Sequence, residues 1–235
     1  MAVPSCIDSL RLAAPALLPS LLLCDFGNLE REVGRLREAG LRGLHLDVMD
    51  GQFVPNLTYG LPIVEALRRL TDMPLDVHLM IAQPQRYVSQ FADAGADVLT
   101  VHIEAVNDPV AVLDAIRERG LAAGIAINPD TPWELLSACV GHCDLVLVMS
   151  VPAGFGGQRF RPDALARLQR AREQFGPQVV LEVDGGVNAD TIGDCVAAGA
   201  QWLVVGSAIF RAPRYDEAVR ALEARWKRRG TDVSG

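Results

Sequence analysis

Short apolar runs alternate with amphipathic stretches from residue 16 onward. The runs cover 16–23, 43–48, 75–80, 98–103, 123–127, 145–149, 179–183 and 202–205. They are rich in Val, Leu and Ile, the composition of strands buried on both faces. Between them lie helical patterns. Residues 28–40 carry Leu29, Val33 and Leu36 on one face and stop at Gly40. Residues 108–119 carry Val112, Leu113 and Ile116 and stop at Gly120, and 188–198 carry Ile192, Cys195 and Val196 and stop at Gly199. A glycine just past each stretch suits a helix C-terminus. Asn28, Asp108 and Asn188 stand where N-terminal caps are needed.

The pattern predicts eight strand-then-helix units and a parallel sheet. A doubly wound open sheet is the rival, but no G-x-G-x-x-G follows the first strand. Eight units fit an α/β fold with one closed (β/α)8 TIM-type barrel. No linker or low-complexity block divides the chain. It reads as a single barrel over 16–229, with an N-terminal extension at 1–15 and a flexible tail at 230–235.

Polar residues interrupt the runs near their C-terminal ends: Ser20, His45 or Asp47, His78, His102, Asn128, Asp184 and Ser207. That end of a barrel holds the active site. His45 and Asp47 share one face of strand two by simple alternation. Strand three supplies His78, and strand seven supplies Asp184. Two histidines and two carboxylates from three strands can enclose one divalent cation, and imidazole with carboxylate suits Zn, Fe, Mn or Co alike. A lone inward histidine is more often a hydrogen-bonded core residue, and a lone strand-end aspartate is often a helix cap. Four at one mouth point to a cation, because unpaired buried charges are too costly to collect otherwise.

Glycine loops supply a second signal. Gly154-Phe155-Gly156-Gly157-Gln158 follows strand six, Asp184-Gly185-Gly186 ends strand seven, and Gly206-Ser207 ends strand eight. Glycines let backbone N–H groups approach an anion closely, and barrels commonly hold phosphate after strands seven and eight. The loop after strand six has the glycines to close over a ligand. Met49, Met80 and Met149 end strands two, three and six, either as a thioether floor under the cation or as core packing. His102 and Glu104, both read on strand four, either support the mouth or satisfy each other.

Composition narrows the functional classes. Half of the 235 residues are hydrophobic and 22% are charged, enough apolar surface for a full core. A net charge of −7 argues against a nucleic-acid partner, and no apolar run is long enough to span a membrane. The only lysine, Lys227, lies in the Arg-rich stretch 225–229, a solvated helix end. Schiff-base chemistry inside the fold is therefore nearly excluded. Five cysteines show no disulfide framework and suit a reducing cytoplasm. Cys139 and Cys143 flank His142 but lack a completing ligand, so they read as buried or helix-end thiols and His142 as a surface residue.

At this point the residues resemble a family. Leu46-Asp47-Val48-Met49-Asp50-Gly51-Gln52-Phe53-Val54-Pro55-Asn56, His78-Leu79-Met80, His102-Ile103-Glu104-Ala105, Gly154-Phe155-Gly156-Gly157-Gln158 and Val183-Asp184-Gly185-Gly186 resemble ribulose-phosphate 3-epimerases. The resemblance runs in order from Pro19 to about Phe210. It implies interconversion of D-ribulose 5-phosphate and D-xylulose 5-phosphate with one divalent metal. It implies His45, Asp47, His78 and Asp184 as ligands, Asp47 and Asp184 as the acid/base pair, and Ser20 as a substrate contact. It places the phosphate on the backbone of Gly156, Gly157, Gly186, Gly206 and Ser207, with His78, the three methionines, Gly154, Phe155 and Gly185 also facing the sugar phosphate. It also implies a small homo-oligomer. Two positions depart from the family pattern: Leu23 stands where Ser or Asn is usual, and Pro152-Ala153 sets the proline one residue early. Three rivals follow: a lysine-dependent barrel, a 3-epimerase of a six-carbon ketose phosphate such as allulose 6-phosphate, and a non-catalytic sugar-phosphate-binding barrel. His78 in place of a strand-three lysine weighs against the first.

Overall fold

A computed structural model describes residues 14–232. Eight strands follow in chain order: β1 (Ala16–Pro19), β2 (Leu44–Met49), β3 (Leu75–Met80), β4 (Val98–His102), β5 (Ala122–Ile127), β6 (Leu145–Met149), β7 (Val180–Asp184) and β8 (Trp202–Val205). All paired neighbours are parallel, in the order β1-β8-β7-β6-β5-β4-β3-β2. An isolated parallel bridge between Ser20 and His45 joins the two ends of that order. The result is a nearly closed (β/α)8 barrel, as the pattern of runs predicts.

The helices are α1 (Leu29–Glu38), α2 (Leu61–Leu70), α3 (Val88–Ala94), α4 (Pro109–Glu118), α5 (Asp163–Phe175), α6 (Ile192–Ala197), α7 (Ser207–Phe210) and α8 (Tyr215–Asp232). Val33 and Leu36, Val112, Leu113 and Ile116, and Ile192 and Cys195 are buried as their spacing requires. Asp108 caps α4 by accepting from the Ala111 N–H at 3.1 Å. Asn28 makes no such bond; Asp25 upstream accepts from Gly27 instead. Asn188 lies in a turn that precedes α6, where its Oδ1 accepts from the Asp190 N–H at 2.8 Å. α8 continues past residue 229 to Asp232. Residues 1–13 of the expected extension at 1–15, and the last tail residues, 233–235, lie outside the described residues.

Two elements depart from expectation. The first run does not stay extended to residue 23: β1 ends at Pro19, and Leu21–Leu23 form a 3₁₀ turn. Leu21 is buried, whereas Leu22 and Leu23 line the mouth of the barrel. The fifth unit has no α-helix. Trp133–Cys139 forms a 3₁₀ helix whose buried residues, Trp133, Leu136 and Cys139, recur every third position. That spacing matches three residues per turn.

Strand alternation divides the core in two. Leu44, Leu46 and Val48 face outward and pack with Leu36, Val64 and Leu67 of the surrounding helices. Leu18, Leu145, Leu147, Val180 and Trp202 form a separate cluster inside the barrel. Among the described residues no helix is long and apolar enough to cross a membrane.

Candidate active site

Register brings the polar side chains together. β2 and β3 pair so that His45 faces Asp76, Asp47 faces His78, and Met49 faces Met80. β6 and β7 place Leu147 beside Glu182 and Met149 beside Asp184. Parallel neighbours in register point to the same side of the sheet. The barrel interior therefore carries two polar levels, one above the other.

The upper level contains Ser20, Asp47, His78 and Asp184. The Ser20 hydroxyl donates to Asp47 Oδ2 at 2.6 Å. His78 Nδ1 lies 3.2 Å from Asp47 Oδ1. Beyond the Ser20–His45 bridge β1 has turned away, and side chains from the next loop satisfy the β2 backbone. The Asp47 N–H donates to the Tyr59 hydroxyl at 3.0 Å. Thr58 Oγ1 donates to the Asp47 carbonyl at 2.7 Å and accepts from the Met49 N–H at 3.0 Å. The position of Asp47 is thus held from both sides of its peptide.

The lower level is His45, Asp76 and Glu182, all fully buried. His45 Nδ1 is 2.6 Å from Asp76 Oδ2 and 3.4 Å from Glu182 Oε1. Its other nitrogen, Nε2, points up toward Asp47 Oδ1 at 3.3 Å. That nitrogen is buried and has no hydrogen-bond partner. An orphaned imidazole nitrogen facing carboxyl oxygens is what a cation site requires. One ligand atom each from His45, Asp47, His78 and Asp184 lies within 4.8 Å of the others. This buried His/Asp cluster could hold a divalent cation, and the donor set fits one.

Environment splits the two aspartates. Burial pushes Asp47 up, but His45 and His78 outweigh it and hold the carboxyl below the usual carboxylate range. Burial, reinforced by the charge of Asp47, pushes Asp184 up to about 7. Burial lowers His45 as well, but Asp47 and Asp76 reverse this and raise it well above an ordinary histidine. Glu182 is pushed up by burial and by Asp76. Two neighbouring carboxyl groups driven apart in this way suit opposite acid and base duties.

Above the two levels opens a cavity of about 190 Å³. Ser20, Asp47, Met49, Met80, Met149 and Asp184 line its floor and walls, and Gly154, Phe155, Gly156, Gly157, Gly186, Gly206 and Ser207 line its rim. His45, His78 and Gly185 are not in the lining: the histidines sit beneath it, and Gly185 acts through its backbone shape. At Gly185 φ is +107°, and a Cβ there would strike Val151 and Ser150. A Cβ at Gly186, φ +62°, would come within 2.4 Å of the Phe160 backbone nitrogen. The β6 and β7 loops are therefore packed together through glycine. The β6 loop is also tied to the β2 loop, since the Asn56 amide donates to the Gly154 carbonyl at 2.9 Å. No lysine or arginine lines the cavity among the described residues.

Sequence reasoning did not single out Asp76, Glu182, Thr58 or Tyr59. Asp76 and Glu182 stand two residues before His78 and Asp184, in phase with them, so alternation carried the signal. His102 ends β4, but Glu104 lies beyond it in the 3₁₀ turn Ile103–Ala105. The four described cysteines are free and buried. Burial pushes Cys139 up to about 11 and Cys143 up to about 12. His142 is partly exposed and pairs with Asp114 at 3.1 Å.

Comparison with known proteins identifies the family. The model of the ribulose-phosphate 3 epimerase family matches residues 16–210. The ribulose-phosphate 3-epimerase of Synechocystis sp. is 46% identical over 206 residues, covering 86% of this chain and 90% of that protein. The enzyme of that name from Bacillus subtilis is 45% identical over 196 residues, covering 82% and 90%. Among solved structures, KGPDC from Streptococcus mutans superposes with a TM-score of 0.68 at 18% identity, covering 92% of this chain and 98% of that one. Orotidine 5'-phosphate decarboxylase from Pyrococcus horikoshii gives 0.66 at 17%, covering 90% and 99%. Those two likenesses concern the fold alone. The family match and the curated relatives go further: this chain is an enzyme of the ribulose-phosphate 3-epimerase family.

Proposed function

We propose that this enzyme interconverts D-ribulose 5-phosphate and D-xylulose 5-phosphate by moving the C3 proton between two carboxyl groups, Asp47 and Asp184. The observation that carries this reading is their meeting at one cavity with opposite proton affinities. Asp47 favours the ionised state and takes the proton from C3. Asp184 favours the protonated state and returns one to the same carbon from its own side. β2 and β7, which carry them, are separated around the barrel by β1 and β8. One turnover leaves the pair with exchanged protonation, which is the starting state for the reverse reaction.

His45, Asp47, His78 and Asp184 would hold one divalent cation: Zn, Fe, Mn or Co. Such a cation supplies Lewis-acid polarisation of the sugar carbonyl and charge compensation for the enediolate. Ser20 holds Asp47 Oδ2 by its hydroxyl and so keeps the base aimed. Met49, Met80 and Met149 keep water from the reacting carbons. The backbone N–H groups of Gly156, Gly157, Gly186, Gly206 and Ser207 take the phosphate, which explains the absence of a cationic side chain in the lining.

The test is isotope exchange. In D2O, ribulose 5-phosphate incubated with the enzyme gains one deuterium at C3. Chelation stops the exchange, and Zn, Fe, Mn or Co restores it. No incorporation by cation-loaded enzyme would reject the epimerase reading, and full incorporation by rigorously cation-free enzyme would reject the cation. Faster turnover of a six-carbon ketose phosphate would reject the five-carbon assignment.

A further inference from the structure

His102 and Glu104 belong neither to the cavity lining nor to the ligand set, yet they are joined to it. His78 Nε2 lies 2.8 Å from His102 Nε2. His102 Nδ1 lies 3.0 Å from Glu104 Oε2. Both imidazoles are fully buried. The His78 and His102 rings meet edge to edge with centroids 4.9 Å apart, and the His102 ring packs against Phe53 at 4.8 Å.

Two ring nitrogens 2.8 Å apart share one proton: one donates and the other accepts. Which does which is decided at the far end of the chain. Glu104 Oε1 accepts from the Asn128 N–H at 2.8 Å and from the Thr131 hydroxyl. Burial raises the Glu104 carboxyl, but His102, Thr131 and the Asn128 amide outweigh this and hold it down to about 2. At neutral pH it can only accept, so His102 Nδ1 must carry a proton. His102 Nε2 is then bare and accepts from His78 Nε2–H. His78 Nδ1 is left bare in turn, 3.2 Å from Asp47 Oδ1 and facing the cation site.

We propose that Glu104, acting through His102, is a positioning residue that fixes the tautomer of His78 and keeps its Nδ1 free to ligate the cation. The inference rests on the cation reading above. Two competing groups make the role of Glu104 specific, and the first is Asp47 Oδ1, which at 3.2 Å draws a proton toward His78 Nδ1. Asn128 Oδ1 accepts from the Ala153 N–H at 2.9 Å, which turns its Nδ2 toward His102 Nδ1 at 3.3 Å. That amide donor favours the opposite tautomer. The contact of ionised Glu104 with His102, at 3.0 Å, is shorter than either and prevails.

Glu104→Gln is the discriminating change. Its carbonyl oxygen stays with the Asn128 and Thr131 donors, and its NH2 faces His102 Nδ1. His102 then donates from Nε2, and the proton of His78 moves to Nδ1, where it blocks a ligand position. Two readouts follow. In ¹⁵N-edited histidine spectra of cation-free wild type, His78 is protonated at Nε2 and His102 at Nδ1. In E104Q both assignments reverse. Co²⁺ titration followed by its visible absorption then shows affinity reduced about 10–100-fold in the variant. Wild-type spectra with His78 protonated at Nδ1 would overturn the inference without any variant. So would an E104Q protein with unchanged tautomers or unchanged Co²⁺ affinity. Wild type that takes up no Co²⁺ at all would instead remove the cation reading on which it stands.

Discussion

Two walls of the same barrel interior are equally buried and chemically opposite. On one, Leu145, Leu147, Val180 and Trp202 interlock as an apolar cluster. On the other, His45, Asp76 and Glu182 stand at the same depth, and both Glu182 oxygens and His45 Nε2 have no hydrogen-bond partner. The first wall lowers the free energy of folding by removing hydrocarbon from water. The second raises it, because buried polar atoms lose hydration that nothing fully replaces. β7 contributes to both walls within three residues, Val180 and Glu182. The difference therefore belongs to the site and not to the strand. Stability is concentrated where the interior is apolar, and chemistry where it is costly to fold.

Substitutions on the two walls should separate these contributions. The largest effect is expected at the polar mouth. Asp47→Asn or Asp184→Asn removes one proton carrier and lowers turnover by about 10²–10⁴-fold, while circular dichroism and melting show a folded protein. Near-normal turnover in either variant would end the two-carboxylate scheme. Next comes the apolar wall: Leu147→Ala costs about 2–5 kcal/mol in denaturant unfolding, with turnover per folded molecule retained. If that variant lost activity in proportion to Asp47→Asn, the two walls would not be functionally distinct.

The smallest effect is a slope. Asp184 has a folded pKa of about 7, above the ordinary carboxyl value of 3.8. A raised carboxyl contributes stability that is fully present below its unfolded pKa and is lost as pH rises through its folded one. The melting temperature of cation-free enzyme therefore falls as pH rises from about 4 through about 7. Asp184→Asn reduces that fall. Leu147→Ala shifts the whole curve downward and leaves its slope unchanged. An unaltered slope in Asp184→Asn would place the titration elsewhere.

Much of this arrangement was legible in the chain. β3, β6 and β8 match their apolar runs residue for residue, because strands buried on both faces leave nothing else to average over. Asp47, His78 and Asp184 were legible as ionisable interruptions at strand ends. Asp76 and Glu182 were written in the same alternation but are visible as a lower level only when register sets them beside His45. Thr58 and Tyr59 could not be found this way. Their role arises because β1 leaves the sheet at Pro19, and the length of that strand was overestimated from its leucines. His102 and Glu104 were readable as a pair, but their link to His78 depends on how β3 and β4 sit side by side.

The joint between β1 and β2 is the thinnest in the cylinder. Among the described residues it is one backbone bridge, Ser20 to His45, and both partners belong to the upper or lower level of the site. Whatever spans Ser20, Asp47 and His45 also rivets that seam. Occupancy and closure are thermodynamically linked, because a ligand bound only to the shut form stabilises it by mass action. Amide exchange along Leu44–Met49 then reports on loading as directly as any assay of product. In the barrel emptied of its ligand, exchange along Leu44–Met49 should be the faster for it, because the seam runs where the chemistry is done.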